Sequence, residues 1–215
     1  MQSLNPAAGQ LFDVFETDEI QSWVDVFSNI PAIKILDNDC HGVDEKNSYN
    51  FWFQRNIFSS IQKLFGQDLR LIFGMFLNET RPWGIHTDAY HCDGFTDRKP
   101  ALSMLIPYSV DHNKDLVERV STIVFDQSSD SNQSLKTRFE KDQIEEDNSA
   151  FKIYKSHLSH NSESLVKKLT IQGIYQWKHN SIIYWNSNNL HDTDNFIANG
   201  FTNKQAIVIH TFLPK

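Results

Sequence analysis

Apolar positions along the chain first follow a helical rhythm and then, past the first third, break into short β-type runs. Within residues 18–27, Ile20, Trp23, Val24 and Phe27 recur at i, i+3, i+4 and i+7, which places one apolar stripe on a helix. Asp18 with Gln21 three positions later fits an N-cap pair, and Pro31 lies beyond the expected end. A second helix is expected over about residues 50–65, with Phe53, Ile57, Ile61 and Leu64 sharing a face and Gly66 as its stop. The connecting residues 37–48 read as polar and turn-rich.

From Leu69 onward the pattern changes. Residues 69–77 read as a strand, 78–82 as a turn and 84–89 as a strand edge. Residues 101–107, 121–125, 181–185 and 206–212 form further short runs bounded by polar or Pro signals, and 167–177 adds one or two strands. Many short strands with scattered turns favour an antiparallel barrel or sandwich over a parallel α/β sheet. No βαβ spacing or Gly-rich phosphate loop appears, which argues against nucleotide folds. Residues 127–150 are the least core-like part, and read as a solvated insertion with one short helix or as a lid. The whole, 1–215, is expected to be a single domain, with helical support at about 18–65 and the barrel at about 69–212.

Composition narrows the class. Hydrophobic residues make up 40% and charged residues 22%, with sixteen Phe, five Trp and six Tyr, enough to offset the entropy of ordering. The formal charge of −7 and the lack of a clear basic patch leave no expectation of a nucleic-acid partner. Two cysteines, Cys40 and Cys92, allow one disulfide but no disulfide framework. Neither a basic-then-apolar leader nor a stretch long enough to span a membrane is visible, so a cytoplasmic location is expected.

The candidate chemistry lies in Trp83-Gly84-Ile85-His86-Thr87-Asp88. On an extended strand residues i and i+2 point to one face, so His86 and Asp88 can reach one ion together. A third donor, His191, lies far downstream. Two imidazoles and one carboxylate on one side of a metal are the facial arrangement of non-heme Fe(II) oxygenases. A lone His-x-Asp arises often by chance among nine histidines; its strand setting raises this one.

His191 follows the apolar Ser181-Ile182-Ile183-Tyr184-Trp185-Asn186 and a polar turn, and Lys204 leads into the β-prone Ala206-Ile207-Val208-Ile209-His210-Thr211-Phe212. With His86-x-Asp88 ahead, this order resembles the Fe(II)- and 2-oxoglutarate-dependent dioxygenases over roughly residues 69–212. The resemblance implies a mainly β fold with flanking helices, the double-stranded β-helix or jelly roll. It implies His86, Asp88 and His191 as iron ligands and Lys204 as the anchor for the far carboxylate of 2-oxoglutarate. It also implies O2 and an organic substrate as the other reactants, with hydroxylation accompanying decarboxylation to succinate and CO2. Two features depart from the commonest pattern: the anchor is Lys rather than Arg, and Asp88 and His191 stand 103 positions apart, which the insertion fits. Asp88 itself favours oxidation over halogenation, which needs an open position there.

Lysine offers no two-pronged fork, so a second donor is expected beside it, with Tyr184, Ser103 and Thr211 as candidates and Arg81 as a substitute anchor. Trp83 is a candidate for the substrate opening, Tyr90, His91 and Asp93 for substrate contact, and His210 for the barrel interior. Asp192 or Asp194 is a candidate to orient a ligand imidazole. The competing readings are a cupin-type metal enzyme, a zinc hydrolase and a noncatalytic β-sandwich that binds a ligand or protein. Convergence of the three donors inside a barrel discriminates among them.

Overall fold

In the computed structural model, residues 8–35, 38–44, 48–66, 68–89, 97–129 and 149–215 are described. The chain runs β1 (Ala8–Leu11), α1 (Thr17–Phe27), β2 (Ile33–Ile35), β3 (Asn38–Asp44), α2 (Asn50–Phe53), α3 (Ser59–Phe65), β4 (Arg70–Glu79) and β5 (Arg98–Val110). It continues as β6 (Ser121–Ser128), α4 (Ser149–Lys152), α5 (Glu163–Val166), β7 (Ile171–Gln176), β8 (Ile182–Asn186), β9 (Asn189–Thr193) and β10 (Lys204–Pro214).

Two antiparallel sheets result. The large one has the order β1-β8-β5-β10-β4-β3-β2 and the small one β7-β6-β9. Beyond β9, the segment carrying His86 joins the small sheet through a single bridge, His86 to His191. From β4 onward the chain therefore switches sheets repeatedly. β4, β5, β8 and β10 lie in the large sheet, while the His86 segment, β6, β7 and β9 lie in or beside the small one. That alternation is the jelly roll expected from the sequence.

The two-residue period of the large sheet sorts its side chains. Met104, Ile106, Ile182, Ile207 and Ile209 face outward onto Trp23, Phe27, Phe53, Ile57 and Ile61 of the helices. Met75, Leu77, Leu105, Trp185 and Val208 belong instead to the cluster inside the roll. A third cluster seals the outer face of the small sheet, where Ile123, Phe125 and Leu190 pack against Ala150, Leu158 and Val166.

Several local expectations need correction. The helix over 50–65 forms, but a π turn at Gln54–Phe58 inserts extra residues into its winding. The buried stripe thus continues Phe53, Ile57, Ile61, Phe65, and Leu64 is 45% exposed. Gly66, at φ 124°, ends the helix as expected. The Asp18–Gln21 capping pair is not made: the N-cap is Glu16, and Gln21 Nε2 donates to the Asp25 carboxylate. Residues 37–48, read as turns, contain β3. Residues 84–89 contribute a bridge rather than a strand, and β9 separates His191 from the apolar strand β8. Cys40 is buried with a free thiol, and Cys92 lies outside the described residues. Of the expected insertion, residues 130–148 also lie outside them. Among the described residues no helix is long and apolar enough to cross a membrane.

Gly74 on β4 lets the α2 helix close onto the sheet, since a Cβ there would collide with the Phe53 ring. Gly74→Ala is accordingly expected to cost about 1–3 kcal/mol through overpacking. Urea unfolding of the variant checks this, and an unchanged midpoint would show that Phe53 moves aside freely.

Candidate metal centre

The segment bearing His86 and Asp88 is held in place by its backbone. His86 and His191 exchange N–H···O bonds at 3.1 and 3.0 Å, Asp88 N–H donates to Ser187 O at 3.0 Å, and Ile85 N–H to Asn161 Oδ1 at 3.1 Å. This ladder aligns the His86 segment with β9. Ligand atoms of His86, Asp88 and His191 consequently all lie within 4.8 Å of one another. Each ligand histidine has Nδ1 against the carbonyl two residues earlier, His86 on Gly84 O at 2.7 Å and His191 on Asn189 O at 3.2 Å. With Nδ1–H donated there, Nε2 is the acceptor that faces the shared centre.

Asp88 is 3% exposed and closely surrounded. Trp185 Nε1–H donates to its Oδ2 at 3.2 Å, His191 Nε2 lies 3.4 Å and His210 Nδ1 3.6 Å from that oxygen, and His86 Nε2 lies 3.8 Å from Oδ1. Ser103 Oγ joins His210 Nδ1 at 3.0 Å and Ser187 Oγ at 3.1 Å. Burial opposes charge on Asp88, but the imidazoles of His191, His210 and His86 and the Ser103 hydroxyl hold its carboxyl below the usual range. Burial pushes His191 down to about 4 against the pull of Asp88, and burial lowers His210 as well. One carboxylate with neutral imidazoles is the donor set Fe(II) accepts, leaving positions for other oxygen ligands.

The triad opens into a cavity of about 740 Å³, counting its mouth. Trp83 lines it, and its ring lies 5.9 Å from that of His86. His210 lines it too, as anticipated for a residue facing the barrel interior. At the other end of the His210 row sits Lys204, 2% exposed. Its Nζ lies 3.1 Å from Glu79 Oε2, donates to Thr193 Oγ1, and rests 4.6 Å from the Trp177 ring centroid and 5.5 Å from that of Phe196. The β4–β10 register pairs Lys204 with Glu79, Val208 with Met75 and His210 with Phe73, so apolar residues separate the two polar ends. A short dicarboxylate matches that layout: polar termini with an apolar middle.

The remaining sequence candidates scatter. Arg81 is exposed and does not line the cavity; its backbone N–H donates to Asn38 Oδ1 at 3.1 Å. Tyr184 stands between inward Ile183 and Trp185 on β8, so it points out and packs on Phe65 with ring centroids 4.9 Å apart. Thr211 lies past a bulge in β10 and is occupied by Leu102, donating to its O at 2.7 Å and accepting from its N–H at 3.0 Å. Ser103 sits at the metal end, not beside Lys204. None of the three touches the Lys204 ammonium, whose partners are Glu79 and Thr193. Neither flanking aspartate orients a ligand imidazole: Asp192 Oδ2 accepts from His160 Nε2 at 2.9 Å and from Asn161 Nδ2, while Asp194 Oδ2 accepts from Ser121 N–H at 3.0 Å. Tyr90, His91 and Asp93 lie outside the described residues.

Sequence reading missed Glu79, Thr193 and Trp185. The signal for Glu79 was present. Phe73, Met75, Leu77 and Glu79 alternate on one face of β4, and a carboxylate extending an apolar row points inward.

No protein-family model and no curated protein matches the chain. Solved structures do. An oxidoreductase of the 2OG-Fe(II) oxygenase family from Burkholderia pseudomallei aligns with TM-score 0.55 and 9% identity, covering 95% of this chain and 84% of that one. The non-heme alpha-ketoglutarate-dependent epimerase SnoN from nogalamycin biosynthesis aligns with TM-score 0.57 and 11% identity, over 95% and 77%. HygX from Streptomyces hygroscopicus, solved with nickel and 2-oxoglutarate bound, aligns with TM-score 0.52 and 12% identity, over 97% and 83%. These likenesses show the fold: the chain has the jelly roll of those oxygenase structures, and within it His86, Asp88 and His191 form a set that could hold a metal ion.

Proposed function

We propose that the protein is an Fe(II)- and 2-oxoglutarate-dependent oxygenase that hydroxylates an organic substrate while 2-oxoglutarate is converted to succinate and CO2. One observation carries the reading: three metal donors and a buried lysine stand at opposite ends of one cavity inside a jelly roll. His86, Asp88 and His191 would hold the iron, and Lys204 would take the far carboxylate of 2-oxoglutarate. When bound, the pair supplies O2 activation coupled to oxidative decarboxylation. The chain's own part is positional. Trp185 Nε1–H fixes the Asp88 carboxylate, and backbone carbonyls fix the imidazole tautomers. Asp88 occupies the position a halide would need, which favours hydroxylation.

The convergence weighs against a noncatalytic sandwich, in which His86 and Asp88 would be ordinary strand residues unrelated to His191. The absence of a clustered His/Glu motif around His86 weighs against a cupin-type centre. Anaerobic addition of Fe(II) and then 2-oxoglutarate is expected to produce a weak visible charge-transfer band only when both are present. Succinate release stimulated by candidate compounds would then identify the substrate. No band under conditions of independently measured binding would contradict bidentate chelation.

A further inference from the structure

Lys204 does not await a carboxylate alone. Its ammonium is already paired with Glu79 at 3.1 Å and bonded to Thr193, in a place where Lys204 is 2% and Glu79 4% exposed. Of three N–H donors, one remains for a ligand. A second carboxylate brought onto this one ammonium would face Glu79 directly, away from water. Two carboxylates sharing a buried site do not both stay ionised.

Resting on the cosubstrate role proposed above, we infer that Glu79 binds the far carboxylate of 2-oxoglutarate in its protonated form, so that cosubstrate binding takes up a proton. Glu79 Oε1 accepts the Trp83 N–H at 3.3 Å, which leaves the proton to Oε2, the oxygen facing Lys204. Oε2–H and Nζ–H then give two donors side by side. The Lys–Glu pair thereby supplies the two-point grip that arginine provides with its fork.

The surroundings favour this site for the proton. Lys204 on β10, the Trp83 N–H and, when charged, His160 beyond the small sheet oppose protonation of Glu79, whereas Asp192 on β9, Asp194 just after it and an ionised Cys40 on β3 favour it. Burial, the largest influence, raises Glu79 above the ordinary range despite Lys204. Asp194 is also pushed up, to about 7 by burial, but it does not line the cavity.

The sign follows from the form that binds. Affinity for 2-oxoglutarate should fall as pH rises past the point where Glu79 of the ligand-free protein loses its proton, about tenfold per unit for one proton. Calorimetric titration of 2-oxoglutarate into the metal-loaded, anaerobic protein, repeated in buffers of different ionisation heat, reads the uptake directly. About one proton per cosubstrate is expected in the alkaline range. In Glu79→Gln the uptake should vanish and the affinity become flat with pH, while Asp194→Asn should keep both. Binding without proton uptake in the wild type, or uptake that survives Glu79→Gln and disappears in Asp194→Asn, overturns the inference. Failure of 2-oxoglutarate to bind the metal-loaded wild type overturns the cosubstrate reading and this inference with it. Should Glu79→Gln not fold, infrared difference spectra of the wild type serve instead. A buried carboxylic-acid carbonyl band appearing on binding supports the inference, and its absence overturns it.

Discussion

His191→Ala is expected to lose Fe(II) binding by more than about 100-fold and to show no coupled turnover, because even the outer partners of a metal ligand are typically worth 10–100-fold. His86→Ala and Asp88→Ala should behave alike, since the three donors form one centre within 4.8 Å. Trp185→Phe gives the graded control. It removes the indole N–H that holds Asp88 Oδ2 at 3.2 Å and leaves every ligand in place, so a loss of about 10–100-fold is expected. Anaerobic metal titration, with circular dichroism to confirm folding, measures all four. Wild-type turnover in His191→Ala would dispose of the triad.

Lys204→Ala should fail in two separable ways. Removing the ammonium leaves Glu79 without its charge partner, so it must take up a proton or stand unpaired. The stability loss should grow with pH toward about 3–5 kcal/mol, typical of an unpaired buried charge. The substitution also removes the proposed contact to 2-oxoglutarate, for which a loss of about 100-fold in affinity is expected, with the metal site intact. The double substitution Lys204→Met, Glu79→Gln distinguishes the effects. With no charge left unpaired, most of the stability should return, but the cosubstrate affinity should not. Urea unfolding reads the first effect, and titration of 2-oxoglutarate into metal-loaded protein reads the second. If the double variant binds 2-oxoglutarate as the wild type does, the anchor lies elsewhere.

Much of the framework follows from local pattern. The stripe Ile20, Trp23, Val24, Phe27 needs only a 3.6-residue period to predict α1, and the run leading to Phe212 needs only β-prone residues to predict β10. The two-residue spacing of His86 and Asp88 suggests a shared side, but since residues 84–89 form only a bridge, the backbone bonds to His191 and Ser187 are what hold the pair together. The order of motifs, with the resemblance it carries, then indicates both the jelly roll and the candidate metal ligands that the fold brings together. Where local rules compete, the reading slips. The π turn at Gln54–Phe58 exchanges Leu64 for Phe65, because packing against the sheet sets the helix winding there, not the ideal repeat.

The surroundings of the site belong to the tertiary structure. Tyr184, Ser103 and Thr211 all carry the hydroxyl that an anchor's second donor requires, and nothing in their residue type separates them. Side-chain direction does: Tyr184 points to the helices, Thr211 passes a bulge, and Ser103 lies at the metal end. Glu79 and Lys204 are 125 positions apart (204 minus 79), yet the β4–β10 register sets them opposite each other and closes them off from water. The motif order singles out Lys204 and the alternation Phe73, Met75, Leu77 points Glu79 inward, but nothing in the sequence pairs the two. Burial turns them into a matched pair, because away from water neither charge can be left without the other.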